Sequence, residues 1–217
     1  MEISVFDLSS PVPFEGLYTY DENTGISRLR DILGTHIHAP ASFIPQGRTL
    51  DQIEAVRYVN RAMCVDISQR TKEFDFVTEK QMRSILPEGY GGLFADEDVN
   101  AVLFYTRPYY QKGGQAHPPY LSPEAAEYLM HNIPIRLIAI DTPSIGPPGN
   151  NDTHIALLER GILIVEQIGD LGDLMGKEGL GPMYPPSRNF LFVCTPAPYQ
   201  NVDAAPTSAI AITGSLR

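Results

Sequence analysis

Short, almost continuously apolar runs recur along this chain: Ile3 to Leu8, Ala62 to Ile67, Ala101 to Thr106, Ile135 to Asp141, Ile162 to Glu166, Phe190 to Thr195 and Thr207 to Thr213. Such runs read as strands, and those without polar alternation as strands covered on both faces. Helix-start signals lie between them. Thr78-Glu79-Lys80-Gln81 is a capping box ahead of Met82, Ile85 and Leu86. Ser122-Pro123-Glu124 places a cap, a first-turn proline and an early acid ahead of Ala125, Ala126, Tyr128, Leu129 and Met130. Asp152 is expected to cap a helix from Thr153 to Arg160, which Gly161 stops. Gly and Pro concentrate at 87–92, 112–119, 143–149 and 176–186, the expected loops. With no repeat, low-complexity tract or linker-like shift in composition, the pattern predicts one mixed α/β domain over residues 1–217.

Composition narrows the function. A formal charge of −10 and the lack of any Lys/Arg run predict no nucleic-acid partner. No apolar stretch approaches the roughly 20 residues needed to span a bilayer, so no membrane partner is expected. Met1-Glu2-Ile3-Ser4-Val5-Phe6-Asp7 lacks the basic segment and apolar stretch of a secretory signal. Cys64 and Cys194 both sit in apolar strand-like runs, as buried thiols of a reducing compartment do. The expected setting is cytoplasmic.

Chemistry concentrates in Gly34-Thr35-His36-Ile37-His38-Ala39-Pro40-Ala41-Ser42-Phe43. Residues i and i+2 of an extended segment point the same way, so His36 and His38 can converge on one point. Pro40 biases Ala39 towards extended backbone. The chain has five histidines, and two of them are here. Two neutral imidazoles on one face are half of a zinc-type site; surface histidines that only cap backbone groups are the other reading. His154 stands in the first turn of the helix from Asp152, and Glu166 ends the apolar strand that follows. A strand leaving a Gly-stopped helix folds back beside it, which lets His154 and Glu166 approach each other. They form either a helix-start histidine and a salt-bridge partner or, with His36 and His38, a sensible ligand set for one Zn2+, with Mn2+ or iron less favoured by the nitrogen content and an empty site the remaining alternative.

The same residues resemble the cyclase family that includes bacterial kynurenine formamidase. That family's signature reads His-x-Gly-Thr-His-x-Asp-x-Pro-x-His, and residues 32 to 42 align with it as Ile-Leu-Gly-Thr-His-Ile-His-Ala-Pro-Ala-Ser. Phe6-Asp7-Leu8-Ser9, Gly47-Arg48-Thr49-Leu50-Asp51, Asp141-Thr142-Pro143-Ser144-Ile145, and His154 with Glu166 are similar to further family segments. The resemblance implies a swivelling β/β/α fold, metal-dependent amide hydrolysis, a small-molecule substrate and a homodimer or homotetramer. By position it carries over His36, His154 and Glu166 as ligands, with His38 replacing the signature Asp. Ile32 replaces a ligand His, and Ser42 replaces the His that serves as acid/base. Serine is a poor proton acceptor near neutral pH, so catalysis from Ser42 is expected to be weak without a neighbouring base.

Glu166 is therefore a candidate base as well as a ligand, and loop residue His117 a candidate substitute acid/base. His131 is expected to favour the C-terminus of the 122–131 helix. Phe14, Tyr18, Tyr20, Tyr109 and Tyr110 would suit an aromatic substrate, and Arg107 its carboxylate. The leading expectation is a metal-dependent hydrolase acting on a small amide or lactone. The alternatives are a biosynthetic cyclase or lyase that has lost the hydrolytic base, and a catalytically silent small-molecule-binding homologue.

Overall fold

The computed structural model describes residues 4–10, 34–67, 76–86, 99–106, 119–169, 171–175 and 190–213, together with the backbone of 18–21 and 26–29. Its strands are β1 (Ser4–Asp7), β2 (Tyr18–Asp21), β3 (Ile26–Leu29), β4 (His36–His38), β5 (Val59–Asp66), β6 (Phe76–Val77), β7 (Val99–Tyr105), β8 (Tyr120–Leu121), β9 (Leu137–Ile140), β10 (Leu163–Glu166), β11 (Phe190–Pro196) and β12 (Ala204–Thr213). Its helices are α1 (Glu79–Ile85), α2 (Pro123–Asn132), α3 (Asp152–Glu159) and α4 (Leu171–Met175).

The apolar runs at the centre become parallel neighbours in the order β5-β7-β9-β10. On one side β11 pairs antiparallel with β5, and β12 with β11. On the other, β4 pairs antiparallel with β10 and also with β12, which closes the sheet into a ring. β12 is long enough to hold β4 along Ala204, Ala205 and Pro206 and β1 further on, from Ile210 to Thr213.

Alternate residues of these strands face opposite sides, as a period of two requires. Ala62, Cys64, Ala101, Leu103, Leu137, Ala139, Leu163 and Val165 join Ile37, Phe192 and Ala205 in one buried cluster. Ala and Cys alternate in it with Leu, Ile, Val and Phe, mixing small and large side chains to fill the interior of a closed sheet. Their neighbours Met63, Val65, Val102, Phe104, Ile138, Ile140 and Ile164 belong to a second cluster with Met82, Ala125, Leu129, Leu157 and Leu158 of the helices. Coverage on both faces explains why β9 is wholly apolar and β10 apolar up to Glu166.

The expected helix caps hold, with one correction. Thr78 Oγ1 accepts from the Gln81 N–H at 3.4 Å, and Gln81 Oε1 accepts from the Thr78 N–H at 2.8 Å. Ser122 Oγ accepts from the Ala125 N–H at 3.2 Å. Asp152, expected as a cap, is instead the first residue of α3; Asn151 precedes it, and Asn150 Oδ1 accepts the Asp152 N–H at 2.7 Å. At the other end Gly161 adopts φ 71°, with its N–H on the Leu158 carbonyl and the Ile162 N–H on that of Leu157. That pair of bonds turns the chain directly from α3 into β10. Two strands start earlier than their composition indicates. β5 begins at Val59, where pairing with Val193 of β11 extends it, and β12 at Ala204, where pairing with β4 does the same. Among the described residues no helix is long and apolar enough to cross a membrane.

Candidate metal centre

Because Ile37 points into the ring, its neighbours His36 and His38 point to the helix-covered side. The antiparallel register of β4 on β10 then sets Glu166 opposite His36 and Ile164 opposite His38. The result is a carboxylate beside two imidazoles: Glu166 Oε2 lies 3.3 Å from His36 Nε2 and 3.4 Å from His38 Nε2. The turn at Gly161 folds α3 back along β10 and brings His154 Nε2 to 3.0 Å from Glu166 Oε1, which also accepts the Ile145 N–H at 2.7 Å. The most accessible of the four residues, His38, is only 6% exposed. Bulk water therefore cannot solvate the charge, and the site must neutralise it internally.

The surrounding hydrogen bonds determine where the ring protons sit. His36 Nδ1 is 2.9 Å from the Gly34 carbonyl, which only accepts, so that nitrogen carries the proton and Nε2 is bare. His38 Nδ1 is 3.0 Å from Ser42 Oγ, and Ser42 in turn donates to the Asp203 carbonyl at 2.8 Å. His154 differs. Its Nδ1 is buried without a hydrogen-bond partner, so its proton is worth more on Nε2, facing Glu166. Burial pushes the Glu166 carboxyl up, yet the hydrogen bond from His154, together with the His36 and His38 rings against its other oxygen, outweighs it and holds the group well below the ordinary carboxylate range.

Two bare imidazole nitrogens and a carboxylate oxygen thus face one another. A shared cation reconciles three acceptors at such range, and nitrogen with carboxylate oxygen is a donor set that fits a divalent transition metal. Among the described residues, His36, His38 and Glu166 form the group of potential ligands whose donor atoms all lie within 4.8 Å of one another. His154, expected as a fourth ligand, reaches the other oxygen of the same carboxylate.

The remaining candidates fall elsewhere. Ser42 is beside the site, with its hydroxyl engaged by His38 and Asp203. His131 is exposed at the end of α2, bonded through Nδ1 to the Glu127 carbonyl. Ile32, His117, Phe14, Arg107, Tyr109 and Tyr110 lie outside the described residues, and Tyr18 and Tyr20 are described only as backbone. Sequence reasoning missed three participants. The Ile145 N–H and the Asp203 carbonyl are backbone groups without a residue signature. Phe43, whose ring lies 4.5 Å from that of His154 and 5.5 Å from that of His38, is adjacent to the motif but has no ligating atom to draw attention.

Comparison with known proteins places this geometry. The model of the Cyclase family matches residues 6–147. Kynurenine formamidase of Bacillus cytotoxicus is 27% identical over 176 residues, covering 77% of each chain. Among solved structures, one described as a potential metal-dependent hydrolase with cyclase activity superimposes with a TM-score of 0.69 at 20% identity, over 99% of this chain and 100% of the other. Isatin hydrolase A from Labrenzia aggregata gives 0.68 at 18% identity, over 98% and 94%. The chain belongs to the cyclase family.

Proposed function

We propose that this protein is a metal-dependent hydrolase of a small amide, with one Zn2+ held by His36, His38 and Glu166. The observation that carries the proposal is the convergence of two imidazole nitrogens on a buried carboxylate oxygen. Donors about 2.0–2.1 Å from a tetrahedral zinc stand roughly 3.3–3.4 Å apart. The His36–Glu166 and His38–Glu166 separations, 3.3 and 3.4 Å, agree with that spacing. The kynurenine formamidases and isatin hydrolase A among the relatives are named for hydrolysis of small aromatic molecules, which supports a substrate of that class here.

A divalent cation, when bound, supplies Lewis-acid polarisation of a carbonyl and acidifies water. The chain's own groups do the rest. Gly34 and Ser42 orient the ring nitrogens of His36 and His38. His154 holds its proton at Nε2 against Glu166 Oε1, and the Ile145 N–H fixes the same oxygen, so the carboxylate cannot rotate away. Phe43 closes the side of the site formed by His38 and His154 and limits water there. The proposal extends to a cytoplasmic homodimer or homotetramer; Cys64 and Cys194, buried and outside any disulfide, suit a reducing compartment.

Metal analysis of the purified chain, followed by assay on an N-formylated aromatic amine and a cyclic aryl amide, tests this. One divalent ion per chain, hydrolysis lost with a chelator and restored by Zn2+, and loss of both in His36→Ala are expected. A chain without stoichiometric metal, or a His36→Ala variant as active as the parent, overturns the proposal.

A further inference from the structure

We infer that Ser42 is a positioning residue: it holds His38 in the tautomer that leaves Nε2 bare towards Glu166. The inference rests on the proposed metal-binding role of His38. The Asp203 carbonyl accepts the Ala39 N–H at 2.8 Å and the Ser42 hydroxyl, also at 2.8 Å. A carbonyl has no proton to give, so the single hydroxyl proton of Ser42 lies on that contact. Ser42 Oγ then offers only lone pairs to His38 Nδ1 at 3.0 Å, and the proton on that bond belongs to the imidazole. His38 Nε2 is left with a lone pair, at 3.4 Å from Glu166 Oε2.

The backbone around Ser42 is built to keep this relay in register. Pro40, Ala41 and Ser42 form one 3₁₀ turn, with the Ser42 N–H on the Ala39 carbonyl and the Ile44 N–H on that of Pro40. Gly47 packs against the turn so closely that a Cβ there would lie 2.6 Å from the Pro40 carbonyl carbon. The Ala41 N–H reaches the Arg48 carbonyl across the same contact. His36 obtains the same orientation from the Gly34 carbonyl, so the two histidines are matched by different devices. The two departures from the signature beside Pro40 therefore act together. A histidine in place of Asp needs an acceptor behind its ring, and a serine in place of His provides one.

Ligand orientation by an outer hydrogen bond is commonly worth 10–100-fold in metal affinity. The experiment is a long-range 1H–15N NMR spectrum of the metal-free chain at alkaline pH, paired with a Zn2+ titration under competition by a chelator. In the parent protein His36 and His38 should both show the Nδ1–H tautomer. In Ser42→Ala the His38 signal should move towards Nε2–H, His36 should stay unchanged, and Zn2+ affinity should fall by about 10-fold or more. Ser42→Thr, which keeps the hydroxyl, should restore both readouts. Should Ser42→Ala fail to fold, Ser42→Cys provides a weaker acceptor in similar space and should shift His38 in the same direction. An unchanged His38 tautomer in Ser42→Ala, or a Ser42→Thr variant as impaired as Ser42→Ala, overturns the inference. A parent chain that binds no Zn2+ overturns the functional proposal instead, and the metal-free spectra still decide the role of Ser42.

Discussion

Glu166 meets donors on one oxygen and bare nitrogens on the other, so its substitutions separate charge from shape. In Glu166→Gln the amide oxygen can still accept from Ile145 and His154, while the amide NH2 can donate to His36 and His38. Its thermal midpoint should stay near that of the metal-free parent, while Zn2+ affinity falls by more than the roughly 10–100-fold typical of losing an outer hydrogen bond. Calorimetry of both proteins, with and without metal, checks this. Glu166→Ala should behave differently: it leaves the buried Ile145 N–H unpaired, at about 1–3 kcal/mol in urea denaturation. His154→Gln should retain the metal and lose turnover, since it touches only the far oxygen. If His154→Gln is metal-free, His154 belongs to the ligand set after all. Residue types, with the two-residue and twelve-residue spacings, made the four side chains of this site legible in the sequence. The proton relay behind His38 was not. Ser42 there looked only like a missing base, because the acceptor that orders its hydroxyl is a main-chain carbonyl far along the chain.

Two glycines show how elements deliver those side chains. Gly161 sits at φ 71° with open space where a Cβ would go, so Gly161→Ala meets only conformational cost, about 1–2 kcal/mol. Gly47 shows the reverse: its Cβ would lie 2.6–2.8 Å from the backbone of Pro40 and Ala41, and Gly47→Ala must displace the turn that carries Ser42. Gly47→Ala should therefore lose about 1–3 kcal/mol and weaken Zn2+ binding as well, whereas Gly161→Ala should lose stability with metal affinity largely kept. Urea titrations and Zn2+ competition on the two variants distinguish these outcomes. The stop at Gly161, the caps at Thr78 and Ser122 and the apolar runs were all readable, because each is a local signal. The pairing of β4 with both β10 and β12 was not. It is a three-residue strand whose register depends on how the ring closes, and no window around residues 36–38 contains that information.

At the scale of the whole molecule, the carboxyl ends of the parallel strands gather acids in a protein of formal charge −10. Asp141, just beyond β9, accepts the Thr106 N–H and hydroxyl at the end of β7 and so ties neighbouring strands together. Burial raises its carboxyl from the ordinary 3.8 to about 6, with nearby Asp66 adding to the shift and the Thr106 hydrogen bonds only partly offsetting it. An acid raised in the folded state binds its proton more tightly there than in the unfolded chain. Its contribution to stability is fully present below pH 3.8 and is lost as pH rises through about 6. Glu166 has the opposite sign: depressed when folded, it stabilises above its unfolded value of 4.5 and loses that contribution as pH falls further. The metal-free protein should accordingly be more stable near pH 5 than at pH 7, on the order of 1–1.5 kcal/mol for Asp141 alone. Asp141→Asn removes the titration yet keeps both contacts, since an amide oxygen can accept the Thr106 N–H while its NH2 donates to the Thr106 hydroxyl. The variant should gain stability at pH 7 and lose the slope between about 4 and 6, as read from thermal midpoints across that range. A slope as steep as the parent's would locate the pH response in other carboxylates and leave Asp141 an ordinary strand tie.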